Sequence, residues 1–311
     1  MKFAIIGRTE TLIKSAELLI ENGHELVLVV TCKAPIEYRY YHEEFEAFAT
    51  KMGCKYLYAP KFTEEVIKNI PVDIDIAISI NYVSLVPESA VNCFRLGILN
   101  SHTGDLPRFR GNAVGPWAII NKEKYVVSCI HKMVGNSLDS GDIVVKSKMD
   151  LFLSTKIIDI WVWFRKITPI DFLSAVTKMQ GDETYYLEKQ SKLPKDILRC
   201  YPRMPEDAQI FWNKPNEDVV RLINASGNPY DGAFTFFKGE KLYILDAEVL
   251  NDDERFLGIP GQVSKINSDG TIEVLTGCNK IKISKVKTVN QEEHLPSKLI
   301  KSIRDRFLTF L

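Results

Sequence analysis

The chain has 311 residues, of which 45% are hydrophobic and 26% charged, a near-average globular composition that excludes a disordered or fibrous class and leaves room for two domains with their own cores. Forty Lys and Arg balance forty Asp and Glu, so the broad positive field of a polyanion-handling protein is missing and a nucleic-acid partner is disfavoured. The six cysteines are scattered without a C-x-x-C pair or a His/Cys cluster at zinc spacing, which points to reduced thiols and to no metal.

In chain order, residues 2–6 read as a buried strand, 7–9 as a tight turn, and Leu12, Ile13, Ala16, Leu19 and Ile20 as one face of a helix that Gly23 ends. Gly7, Arg8, Thr9 and Glu10 interrupt the opening apolar run before a signal-peptide core could form, so the cytoplasm is the expected compartment. Strands at 26–30 and 74–80 follow, and this alternation with helices predicts a Rossmann-like, mostly parallel sheet. Only Gly7 stands after the first strand, so the G-x-G-x-x-G fingerprint is absent and NAD is not expected. Backbone donors at Gly7, Arg8 and Thr9 could still meet a phosphate, against the plainer reading of a solvated arginine. The cluster Tyr38, Arg39, Tyr40, Tyr41 and His42 could hold a nucleotide, but the amphipathic start of a helix running through Phe45 and Phe48 is preferred.

Two stretches concentrate chemistry: GILNSHTGDLPRFRGNA at 97–113 and MVGNSLDSGDIV at 133–144. The first begins as a strand, and residues two apart on a strand share a face, so Asn100 and His102 project together. Gly104, Pro107 and Gly111 then turn the chain into a loop, where an α/β sheet exposes its working groups. Asp139 follows His102 by 37 residues, in a Ser/Asp/Gly turn signal. A carboxylate near His102 would fix its tautomer and favour its protonated form.

The segment 157–173 is the most membrane-like, but Asp159, Arg165, Lys166 and Pro169 break it well short of a span. It predicts two buried helices, at 157–166 and 169–179, and packing of Trp161 and Trp163 against a second copy of the chain is one reading of their purpose. Residues 181–195 read as a polar connector. From about 201 a helix signal at 216–225 precedes short strands at 233–237, 242–245, 262–266, 271–275 and 281–286, the pattern of a small β-barrel. The expected domains are therefore 1–200 and 201–311.

Together, Asn100-Ser101-His102, Leu106-Pro107-Arg108-Phe109-Arg110-Gly111 and Leu138-Asp139-Ser140-Gly141 resemble the signature of the folate-dependent formyltransferases. The resemblance extends to the residues from Arg203 to Trp212 and from Asn228 to Thr235, which look like the entry and first strand of that family's OB-like barrel, although Asp231 stands where a proline is expected. It implies N10-formyltetrahydrofolate as formyl donor, tetrahydrofolate as product, and Asn100, His102 and Asp139 as catalytic residues. It also implies that the loop with Tyr82, Ser84, Leu85 and Val86, together with Leu138, grips the pterin ring. Arg110 and Asn112 could reach the acceptor, and Asp105 could attract its ammonium or merely cap a turn.

The leading expectation is an N-formyltransferase acting on a nucleotide-linked amino sugar, such as a dideoxy-aminohexose for a bacterial O-antigen. The alternative is a methionyl-tRNA formyltransferase. Residues 201–311 carry 15 Lys and Arg against 16 Asp and Glu, a formal charge of −1 where a tRNA binder needs a basic surface. A binding module for folate or a nucleotide, without chemistry, belongs to another class; it has no need of Asn100, His102 and Asp139 together.

Overall fold

The computed structural model describes residues 1–35, 38–250 and 254–309. In order, its first elements are β1 (Lys2–Gly7), α1 (Glu10–Glu21), β2 (Glu25–Thr31), α2 (His42–Met52), β3 (Lys55–Tyr58), α3 (Glu64–Lys68), β4 (Ile76–Ile80) and α4 (Glu88–Val91). There follow β5 (Ile98–Thr103), the two-residue β6 (Arg110–Gly111), α5 (Val114–Ile120), β7 (Tyr125–Lys132), β8 (Ile143–Asp150), α6 (Ile157–Gly181) and β9 (Arg199–Cys200). Seven strands form one sheet in the order β3-β2-β1-β4-β5-β7-β8. The pairs from β3 to β5 are parallel, and β7 runs antiparallel to β5.

Alternation along β1 explains why helices cover both faces of this sheet. Phe3 and Ile5 pack in one apolar cluster with Leu12, Ala16 and Leu19 of α1 and with Phe172, Ala175 and Val176 of α6. Ala4 and Ile6 point the other way, into a second cluster with Phe62, Ile70, Ala90 and Phe94. A parallel strand buried on both faces must be apolar at consecutive positions, as the sequence of β1 is.

The two helices predicted around Pro169 are a single helix of 25 residues with Pro169 inside it. A proline in a helix interior removes one hydrogen bond and costs about 3 kcal/mol. Burial of Phe172, Ala175, Val176 and Met179 just beyond it supplies more than that, at roughly 1.5–3 kcal/mol per large apolar side chain.

The chain divides into two compact units. The first holds Met1–Val114, Val126–Met149 and Trp161–Tyr201, and the second Gly115–Tyr125, Asp150–Ile160 and Pro202–Leu311. The second unit contains α7 (Asn216–Ser226) and the strands β10 (Ala233–Phe237), β11 (Glu240–Leu250), β12 (Val263–Ile266), β13 (Ile272–Leu275), β14 (Lys280–Thr288) and β15 (Glu293–His294). They form an antiparallel sheet in the order β10-β11-β14-β13-β12, with β15 on β14. Bridges from Leu308 to Phe236 and from Arg306 to Gln262 tie the two edges together, which closes the sheet over a core that includes Trp212, Ile223, Ile244, Ile283 and Phe307. Closure of this kind removes the unpaired edges that an open sheet leaves.

Among the described residues no helix is long and apolar enough to cross a membrane.

Candidate active site

The site lies at the carboxyl ends of β4 and β5, where loops leave a mostly parallel sheet and side chains can face a ligand. Asn100 and His102 stand two apart on β5 and both line a cavity of about 140 Å³. Asp139 enters from the loop between β7 and β8 and lines the same cavity. Its Oδ2 is 3.6 Å from His102 Nδ1, and both side chains are buried. His102 Nε2 lies 2.6 Å from the Phe109 carbonyl. Both ring nitrogens thus face oxygen atoms.

Burial by itself would raise the Asp139 carboxyl, but the charge of His102, the imidazole of His131 and the Gly111 N–H hold it well below the usual carboxylate range. The Gly111 N–H donates to Asp139 Oδ2 at 2.9 Å, so the loop after β5 and the loop carrying Asp139 meet at the carboxylate. Asp139 adopts φ 47°, a left-handed backbone that side chains other than glycine rarely occupy and that clusters at functional sites.

His131 is a residue the sequence did not single out. It stands on β7 directly opposite Asn100 in the antiparallel register, with its Nε2 3.1 Å from Asn100 Nδ2 and 3.6 Å from Asp139 Oδ1. Its Nδ1 is 3.0 Å from the Lys132 carbonyl. His131 Nε2 thus stands between the Asn100 amide and the Asp139 carboxylate, and its contacts help set the orientation of both side chains. The available signal was a histidine on an apolar strand, but the partner strand and register are tertiary facts.

The other expected site residues divide into two groups. Tyr82, Ser84, Leu85, Val86, Leu138 and Asn112 line the cavity. In the Tyr82 loop, the Tyr82 hydroxyl donates to the Ala59 carbonyl and the Ser84 hydroxyl to Pro60, while Leu85 is exposed. The second group is engaged elsewhere. Asp105 is paired with Lys146, whose ammonium also meets Glu188, and Arg110 donates from Nη2 to Gln190. Arg8 donates to the carbonyls of Asn81 and Lys33, next to Gly7 and to Thr9 at the start of α1. None of Gly7, Arg8, Thr9, Asp105 and Arg110 lines the cavity.

The Tyr38 cluster forms a ladder of side chains. The Arg8 guanidinium lies over the Tyr38 ring, Tyr38 meets Trp161 edge-on, and Arg165 lies over Trp161 while pairing with Glu10. His42 opens α2, and Phe45 and Phe48 are buried on that helix, whereas Tyr38, Arg39, Tyr40 and Tyr41 precede it, so the helical reading of this stretch holds only from His42 onward. Among the described residues no group of three or more His, Cys, Asp or Glu could hold a metal ion.

A family model described as "Formyl transferase" matches residues 1–160, and another described as "Formyl transferase, C-terminal domain" matches 203–304. Methionyl-tRNA formyltransferase of Acetivibrio thermocellus is 27% identical over 297 residues, covering 92% of this chain and 91% of that protein. WlaRD, a sugar 3N-formyl transferase solved with dTDP and 5-N-formyl-THF, superposes with a TM-score of 0.68 at 16% identity, over 94% of this chain and 99% of the other. A variant of HypX from Aquifex aeolicus superposes with a TM-score of 0.61 at 16% identity over 97% of this chain. This chain spans about half the length of HypX, 49%.

Proposed function

The chain belongs to the formyl transferase family, and from that premise we propose that it moves a formyl group from N10-formyltetrahydrofolate to the amine of a nucleotide-linked amino sugar. The observation that carries the chemistry is the meeting of Asn100, His102 and Asp139 at one cavity. The acceptor amine forms a bond to the formyl carbon and gives up one proton, the bond from that carbon to folate N10 breaks and N10 takes up one proton, and between these events the carbonyl oxygen carries negative charge. A positioned donor to that oxygen is worth roughly 3 kcal/mol. The Asn100 amide supplies one donor, and the His102 ring supplies a second once its Nε2, which faces the Phe109 carbonyl in this structure, turns to the substrate. Asp139, an acceptor when ionised, holds the proton-bearing ring in place and takes no part in stabilising the oxyanion.

The cavity suits the reacting end of the ligands. At about 140 Å³ it is smaller than the roughly 300–1,000 Å³ of pockets that enclose a whole ligand. The rest of each substrate then lies across its mouth, with the pterin against the loop of Tyr82, Ser84, Leu85 and Val86 and beside Leu138. Asn112 is placed to touch the acceptor.

Two observations bear on the acceptor. The region 201–311 is formally −1, which supports a small, nucleotide-linked substrate over tRNA. Similarity over 92% of the chain to a methionyl-tRNA formyltransferase favours the second reading, formylation of charged initiator tRNA. Rates with dTDP- and UDP-linked 3- and 4-amino sugars, compared with the rate on methionyl initiator tRNA, test the choice. The expected result is turnover with at least one sugar nucleotide and negligible tRNA formylation; a faster rate on tRNA reverses it.

A further inference from the structure

We infer that Gln190 is a positioning residue for formyl transfer, a side-chain latch that sets the Asp139 loop against the loop of Arg110. The inference rests on the formyl-transfer reading above. Gln190 lies beyond α6, in the stretch that the sequence reads as a connector, yet it is only 7% exposed. Its Nε2 donates to the Asp139 carbonyl at 2.9 Å and to the Gly141 carbonyl at 2.6 Å. Its Oε1 accepts from Arg110 Nη2 at 2.7 Å. One planar amide therefore joins both motif loops, using two donors on one and an acceptor on the other.

The Asp139 loop has a physical need for such a hold. A non-glycine residue in the left-handed region is strained and persists only where its surroundings impose it. Fixing the Asp139 and Gly141 carbonyls fixes the backbone that aims the Asp139 carboxylate between His102 and His131. Nearby backbone pairs bracket the same region. The Ile143 N–H donates to the Glu188 carbonyl, the Leu187 N–H donates to the Ile143 carbonyl, and β6 pairs in parallel with β9. These anchor the ends of the segment, and Gln190 reaches inward from it to the peptide of the catalytic residue itself. Gln190 does not line the cavity that holds Asn100, His102 and Asp139, so its effect on turnover passes through Asp139.

Two variants of the full chain test this. Gln190→Met keeps the length and volume and removes all three hydrogen bonds, whereas Gln190→Glu keeps the acceptor for Arg110 and removes both donors. For each, kcat and the KM of both substrates are measured, together with the ¹⁵N–¹H resonances of the His102 and His131 imidazoles. The expected result is a kcat lowered about tenfold or more with each KM within about threefold, as for loss of an interaction that matters in the transition state, and shifted imidazole signals in a folded protein. A kcat within about twofold of the parent, or imidazole signals that do not move, overturns the latch. Should Gln190→Met fail to fold, Gln190→Glu decides by the same readouts. A parent protein that transfers no formyl group sinks the functional reading instead, and the imidazole spectra then decide the latch on their own.

Discussion

The Asp139 carboxylate lies 3.6 Å from each of two imidazoles and accepts from a backbone N–H at 2.9 Å. Its depressed pKa has a consequence for stability. A carboxyl held down in the folded state contributes stability that is present above its unfolded value, about 3.9, and is lost as pH falls through the lower folded value. Urea unfolding of the parent should therefore show stability falling between about pH 4 and pH 2. Asp139→Asn should be less stable at neutral pH and should have a shallower acid limb than the parent; identical limbs would count against the pairing. His131 acts on the other side of the carboxylate. Because its Nε2 is 3.1 Å from the Asn100 amide, His131→Ala leaves that amide free to turn. Transfer should then slow roughly tenfold to a hundredfold, up to the about 3 kcal/mol that one positioned donor supplies, with substrate KM values little changed. Steady-state kinetics that leave kcat untouched would remove His131 from the site.

The elements differ in how far their residues announced them. The strand β5 was legible because alternation alone puts Asn100 and His102 on one face, and the strands β10 to β14 were legible because each is bounded by its own turn residues. Asp139 was placed by a turn signal whose partner in space the sequence does not state. The antiparallel pairing that sets His131 opposite Asn100, and the burial of Gln190 among polar neighbours, arise from contacts between elements distant in sequence, so local pattern carried no trace of them. Pro169 misled for a related reason, since packing beyond it overrides a local helix-breaking preference. Gly111 shows both levels at once. As a glycine in a loop it reads only as a breaker, but here it sits at φ 104°, where a Cβ would overlap the Cys200 carbonyl oxygen, and its N–H holds Asp139. Gly111→Ala should therefore part β6 from β9 and move the carboxylate together. We expect a loss of about 2 kcal/mol or more in thermal unfolding and a fall in kcat. A variant with the parent's melting temperature and rate would show that this close approach has no bearing on either property.

For the molecule as a whole, charge decides more than shape. The same two-part fold is shared by proteins whose names place them on tRNA and on sugars, so the architecture leaves the acceptor open and the surface must discriminate. The chain balances forty basic residues against forty acidic ones, and its last 111 residues are no more basic than the rest. A protein that neutralises about six to ten phosphates loses on the order of a thousandfold to a hundred-thousandfold in affinity between roughly 50 and 200 mM salt, because each contact releases a counterion. With so few unmatched cations this chain should bind methionyl initiator tRNA weakly, with a shallow dependence of log affinity on log salt. A sugar nucleotide carries only two phosphates, so its KM should likewise change little over that range. Titrations of tRNA binding by fluorescence anisotropy at several salt concentrations check the first expectation, and kinetics at the same concentrations check the second. A tRNA slope approaching that of six phosphate contacts would mean that basic side chains converge on one surface despite the neutral total, and it would transfer the acceptor assignment to tRNA.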